Sequence, residues 1–307
     1  ERWNDCCPNP FARGVSWSPD GRLVAVSTED TATVWDVASH TLRDTLRGHG
    51  GLVLGLAWSP DSKRLVTGGS DGTAKVWEIG PQFQEQWSLS AQETSSGLVG
   101  VAFSPDGTRV MAGDVDFSAL KIWDLGPTGN AELATLPAPG WPAAEFMPDG
   151  RRVATTSWEG HDDSARAVTL WDLRTGEELP MGPTISLDEL YAFDVRPDGG
   201  SIAGGGSSDP NGLGGSSSVR AWDLATGEEA YRFGHFLDVN EVAFSPSGEY
   251  LATASWDRTA KIVDRSGRLV QELAQDVFNI SDVAFSSDDR LVATAEVVTL
   301  GGESRVV

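Results

Sequence analysis

Cysteine is nearly absent: the 307-residue chain has two, Cys6 and Cys7. Adjacent cysteines staple no distant segments, so no disulfide framework is available and a reducing compartment, the cytoplasm, is the expected location. Positive charge is scarce as well. Against 45 acidic residues stand 23 basic ones, a formal balance of −22. A chain this negative repels phosphate backbones and anionic lipid surfaces, which excludes nucleic acid and membrane as expected partners. Long apolar runs are missing: Leu52 to Trp58 is a typical one, far short of the roughly 20 residues a membrane-crossing helix needs. The sequence holds no P-loop, paired-glycine dinucleotide turn, Gly-x-Ser-x-Gly elbow or His-Glu-x-x-His motif. It opens on Glu1 with no basic stretch ahead of an apolar one, and reads as a segment excised from a longer protein. What is present is core-building material, 39% hydrophobic residues with 12 Trp, which disordered acidic tails lack.

A repeat organises that material. An apolar pair, an aromatic and Ser-Pro-Asp-Gly recur in intact form at Trp17–Gly21 and Phe103–Gly107. Decayed forms begin at Trp58, Phe146, Val195, Phe244 and Phe285. The Pro positions, with Ser287 in the seventh, are spaced 41, 45, 43, 49, 49 and 41 residues. Each anchor is turn chemistry, because Pro fixes φ at the first turn position and Asp and Gly favour the bends that follow. A short β-type run comes next, then a second turn and an alternating strand ending in Trp35-Asp36, Trp77-Glu78, Trp123-Asp124, Trp171-Asp172, Trp222-Asp223 or Val263-Asp264. Four strand-sized segments fit each period and no helical periodicity competes, so the expectation is a set of radially repeated four-stranded antiparallel sheets.

These Trp-Asp endings, together with Gly48-His49 and Gly234-His235, each nine residues from His to the next anchor aromatic, resemble the WD40 repeat family over essentially the whole chain. The resemblance implies an all-β fold, a seven-bladed propeller with an incomplete seventh blade at the C-terminus. The repeats would run about 11–49, 50–95, 96–139, 140–186, 187–236, 237–276 and 277–307, with 1–10 closing the last blade. By analogy with Val219-Arg220-Ala221-Trp222, the residue after Val307 would be the seventh Trp. The resemblance also implies a His, hydroxyl, Asp and Trp tetrad inside a blade. His49, Asp71 and Trp77 supply it in the second unit, with Gly69 where the hydroxyl is expected. His235, Ser255 and Asp257 supply it in the sixth, with Val263 in place of Trp.

Two units are longest between their second and third strands, at Trp158–Arg166 and Ser207–Leu213. The Ser/Gly-rich stretch from Gly204 to Ser218 reads as a flexible loop insertion. In the family's topology these loops enlarge the face that also carries the links between blades. The candidate partner-binding residues there are Trp158, Asp162, Asp163, Asp188, Glu189, Phe236, Asp238, Trp256, Phe278 and Asn279. Exposed aromatics beside acids compose a recognition surface. Twelve of the acids belong to the repeat itself, six in the anchors and six after the Trp position. The remainder suits a basic or mixed-charge protein or peptide, or other domains of the parent chain. The composition, with four Lys, has a bacterial look. The expected role is a non-catalytic interaction, sensor or scaffold module without metal or cofactor. Its rival is an enzyme-type propeller holding a small molecule or glycan in the central channel, which requires a metal or converging carboxylates there.

Overall fold

The computed structural model describes residues 14–90, 97–114, 119–126, 129–137, 144–156, 166–179, 186–187, 190–206, 217–274 and 279–297. Every element among them is a β-strand. Six sheets follow an antiparallel four-strand path in sequence order, the fourth with the two-residue strand Ser186–Leu187 added beside Arg166–Asp172. A seventh sheet has two strands, Asn279–Phe285 and Val292–Val297. The structure thus shows six complete blades where seven units were expected. The segments expected to complete the last blade, 1–10 and 298–307, lie outside the described residues, as do Cys6 and Cys7.

The first strands of the sheets are Val15–Trp17, Val53–Trp58, Leu98–Phe103, Ala144–Phe146, Leu190–Val195, Val239–Phe244 and Asn279–Phe285. Each touches the next, and the last touches the first, so they form an inner ring around an axial channel. The core is divided accordingly. Seven apolar clusters each lie between two consecutive sheets. Leu23, Val34 and Leu46 of the first sheet meet Trp58, Leu65 and Trp77 of the second, for example. At the join of the seventh sheet with the first, Ala293 and Ala295 meet Val15, Val24, Val26 and Trp35.

The anchors build the turns between first and second strands. Ser104 Oγ, fully buried, donates to Asp106 Oδ1 at 2.6 Å and accepts from Arg109 N–H at 2.9 Å. Gly107 N–H closes the turn on Ser104 O at 2.8 Å. The glycine of each intact anchor has φ near +70°, where a Cβ is strained, and Ser62 and Asp289 take nearly the same conformation in the two anchors that lack the glycine. Replacing Ser104 by Ala removes two hydrogen bonds at a dry position. The expected loss is about 1–2 kcal/mol in urea unfolding, and an unchanged midpoint contradicts this account of the anchor.

The glycine run departs from its expected role. Gly204, Gly205 and Gly206 are buried in the strand Ser201–Gly206, and Ser217 and Ser218 begin the strand Ser217–Asp223. The cause is a close approach rather than flexibility: a Cβ on Gly205 would stand 2.6 Å from Val239 Cγ1 of the next inner strand. Gly68 is held the same way, 2.7 Å from Val101 Cγ1.

Candidate functional site

The sixth sheet presents a group of exposed apolar side chains at the link that enters it. The fifth sheet ends on the strand Glu229–His235, and His235 is buried while Phe236 and Leu237 emerge. Across from them the strand Tyr250–Ser255 turns through Trp256, Asp257 and Arg258 into Thr259–Asp264. Phe236 is 84% exposed, Trp256 49% and Leu237 40%. Backbone and carboxylate bonds fix all three. Trp256 N–H donates to Asp238 O at 2.9 Å, Ser255 Oγ to Leu237 O at 3.2 Å and Phe236 N–H to Asp257 Oδ2 at 2.9 Å.

Asp257 is the centre of this arrangement. It also accepts from Thr259 N–H at 2.9 Å and Thr259 Oγ1 at 2.6 Å, and meets His235 Nδ1 at 2.9 Å. A carboxylate only accepts, so His235 donates from Nδ1 and its Nε2 accepts from Thr253 Oγ1 at 2.8 Å. Burial opposes ionisation of Asp257, but the donors from His235, Thr259 and Phe236 outweigh it and hold the carboxyl well below the usual range.

The second sheet repeats this chemistry with a Trp added. His49 Nδ1 lies 3.1 Å from Asp71 Oδ2, its Nε2 2.8 Å from Thr67 Oγ1, and Trp77 Nε1–H donates to Thr67 Oγ1 at 2.9 Å. Burial pulls the His49 imidazole below its ordinary pKa and opposes ionisation of Asp71. Donors from Thr73, Gly50 and His49 nevertheless bring Asp71 down to about 2. The bridging hydroxyls are therefore Thr67 and Thr253, each two residues before the position expected from sequence. A Cβ on Gly69 would stand 2.3 Å from His49 Nδ1, and Ser255 bonds the Leu237 carbonyl instead of the imidazole. The second-sheet tetrad is complete. In the fourth sheet Trp171 Nε1–H finds Thr155 Oγ1 at 2.8 Å.

Of the candidate face residues, Phe236, Asp238 and Trp256 come together around Asp257. Asn279 opens the first strand of the seventh sheet, half-buried and in register with Val297. Trp158, Asp162, Asp163, Asp188, Glu189 and Phe278 lie outside the described residues. Leu237 joins the patch without having been singled out; its signal was its place between Phe236 and Asp238.

The axial channel holds a second concentration of chemistry. A cavity of about 410 Å3 lies against the inner strands, lined on one side by Gly14, Gly55 and Gly100 and on the other by Glu241 and Asp282. Glu145 and Asp194 occupy the inner strands of the fourth and fifth sheets. Water reaches the four carboxyls, yet protein encloses them on nearly all sides, and burial raises every one above its ordinary pKa. The charge of Asp194 raises Glu145 further, and that of Asp282 raises Glu241. Among the described residues no group of three or more His, Cys, Asp or Glu is placed to hold a metal ion, and no helix is long and apolar enough to cross a membrane.

Comparison with known proteins places these features in a family context. The family model described as WD domain, G-beta repeat matches residues 8–36, 40–78 and 227–264. The chain is 27% identical over 279 residues to a guanine nucleotide-binding protein subunit beta of Oryza sativa subsp. japonica, covering 81% of this chain and 67% of that protein. The same-named protein of Zea mays gives the same figures. That of Arabidopsis thaliana is 29% identical over 268 residues, covering 81% of this chain and 66% of its own. The chain spans about two thirds of the length of these relatives.

Proposed function

We propose that this chain, a β-propeller in which the WD40 repeat model matches residues 8–36, 40–78 and 227–264, serves as a non-catalytic protein-interaction module, a sensor or scaffold within a signalling or effector assembly in the cytoplasm. The observation that carries this reading is the patch of Phe236, Leu237 and Trp256. Three apolar side chains stand out from a backbone pinned by Asp257, Asp238 and Ser255. Rigid exposed aromatics lose little entropy on binding and supply the anchors of protein interfaces. The relatives are named as subunits, members of an assembly, which supports the same reading. Asp238 and the acidic balance of the chain suit a peptide or protein with an apolar anchor and a basic or mixed-charge flank. Trp158, Asp162, Asp163, Asp188, Glu189, Phe278 and Asn279 extend the proposed face.

A peptide library selected on the immobilised protein tests this directly. Recovered sequences are expected to carry an aromatic or aliphatic anchor beside Lys or Arg. Their affinity should fall at least about tenfold in Trp256→Ala and Phe236→Ala, with the melting midpoint unmoved because both side chains face water. Peptides that bind the variants as well as the parent overturn the face assignment.

We also read the ring as seven-bladed. Seven inner strands and seven apolar joins close on one another. Thr294 pairs with Val283 as Thr67 pairs with Leu56 and Thr253 with Val242, yet its buried hydroxyl has no hydrogen-bond partner among the described residues. A third strand beside Val292–Val297 would supply one. A second functional reading, a small molecule or glycan handled in the axial channel, is favoured by the carboxylates there. Asp194, Asp282 and Glu241 already accept backbone N–H groups, which leaves Glu145 as the acid for it. Absence of turnover in a glycosidase screen removes that reading.

A further inference from the structure

Among the described residues, the join between the seventh sheet and the first is thinly packed from the side of the seventh. Its apolar cluster has six buried side chains, of which the seventh sheet gives Ala293 and Ala295, with Ala284 partly buried beside them. Trp17 Nε1 and Ser27 Oγ of the first sheet are buried with no hydrogen-bond partner among the described residues. Among the described residues a side-chain hydrogen bond spans the join. Val15 N–H donates to Asp282 Oδ2 at 2.6 Å, while Asp282 Oδ1 accepts from Val283 N–H at 2.7 Å. Asp194 makes the same kind of stitch from the fifth sheet to the sixth, accepting from Phe244 N–H at 2.7 Å and Val195 N–H at 2.7 Å. There, however, eight buried apolar side chains share the join, among them Leu251, Val263 and Val242.

Asp282 also has an acidic neighbour. Glu241, on the adjacent inner strand, faces the same cavity, and Asp194 and Glu145 follow round the wall. The inner strands on the far side, Val15–Trp17, Val53–Trp58 and Leu98–Phe103, carry no ionisable side chain. On the sixth-sheet strands that pack behind Asn279–Phe285, the ionisable groups are Tyr250, Lys261 and Asp264. Lys261 Nζ bonds Gly234 O at 2.7 Å, and Asp264 bonds Ser266 and Arg268. Glu296 stands on the partner strand, in register with Ile280. Among the described residues no cation faces the channel acids.

We propose that Asp282 is a proton-dependent latch on the ring: while Glu241 keeps its proton, the Asp282 carboxylate ties the last sheet to the first, and ionisation of both loosens that join. Two backbone donors favour the charged form of Asp282. A second charge beside it, inside a poorly screened wall, is what the arrangement resists. Burial and the charge of Asp282 keep the Glu241 proton on well beyond the usual carboxylate range. Acids that hold protons when folded and release them when unfolded make stability fall as pH rises. The fall starts near the unfolded value of about 4 and is complete above the raised folded values.

Hydrogen exchange of the full chain, corrected for intrinsic rates, at about pH 6 and about pH 8.5 reads the join separately from the rest. Opening at Val15–Trp17 and Asn279–Phe285 is expected to increase at least about tenfold more than opening at Arg109–Asp114 in the third sheet. Glu241→Gln should abolish that excess. Asp282→Asn keeps an acceptor for Val15 but no charge, and should open equally at both pH values. Exchange at the join that tracks the third sheet in the parent protein overturns the latch, as does a parental pH response retained in either variant.

Discussion

Asp257→Ala is expected to destabilise the protein by about 3–5 kcal/mol, the cost of stripping a shared acceptor from several buried donors. His235, whose side chain is fully buried, loses the partner of Nδ1, and Phe236 N–H and Thr259 N–H lose theirs. The Asp257 side chain is itself only 7% exposed, so water is poorly placed to replace it. Urea unfolding checks the figure; a loss below about 1 kcal/mol would show the network to be ornamental. The variant also discriminates roles. Because Asp257 fixes the backbone of Phe236, peptide affinity should fall along with stability, whereas Trp256→Ala lowers affinity alone. The pH dependence follows from the depressed carboxyl. Its contribution is present above the unfolded value of about 4 and is lost as pH falls toward the folded value, so Asp257→Asn should flatten the acid limb of the stability profile.

Thr67→Val is the second large effect, at about 2–4 kcal/mol from two orphaned groups. Valine has nearly the shape of threonine, and Thr67 is fully buried, so packing changes little while Trp77 Nε1–H and His49 Nε2 both lose their partner. Thr155→Val serves as the internal comparison. That hydroxyl serves Trp171 Nε1 with no imidazole beside it among the described residues, and its loss should be about half as large. Equal losses at the two positions would mean that the imidazole bond adds nothing.

The repeat was readable because its signals are local. Ser, Pro, Asp and Gly in order dictate a turn whatever surrounds them, and Ser104, Asp106 and Gly107 act within a few residues of one another. The sheets and their order followed from that spacing. The bridging hydroxyl did not. Positions 67 and 69 lie on one face of a strand, so alternation alone gives either, and only the distance from the His49 ring excludes a side chain at Gly69. The glycines at 204–206 misled for a related reason: their composition matches a linker, while the demand for glycine at 205 comes from Val239 in another sheet. The channel acids had no local signature at all. Glu145 and Asp282 are 137 residues apart in the chain, and each is a single acid in an apolar strand until the inner ring gathers them. Phe236 and Trp256 were legible because each sits beside a tetrad residue whose role the repeat already implies.

The division of the core among seven joins bears on how this molecule can vary. In a domain with one shared interior, a change at any buried site disturbs every element that borders it. Here each apolar cluster is private to two sheets, so Ile202 and Leu65 belong to different neighbourhoods with no residue in common. Perturbations in separate joins should sum independently. The loops of the sixth sheet can then be rewritten for a new ligand while the third keeps its packing untouched. Specificity and scaffold are separable properties of this ring, unit by unit.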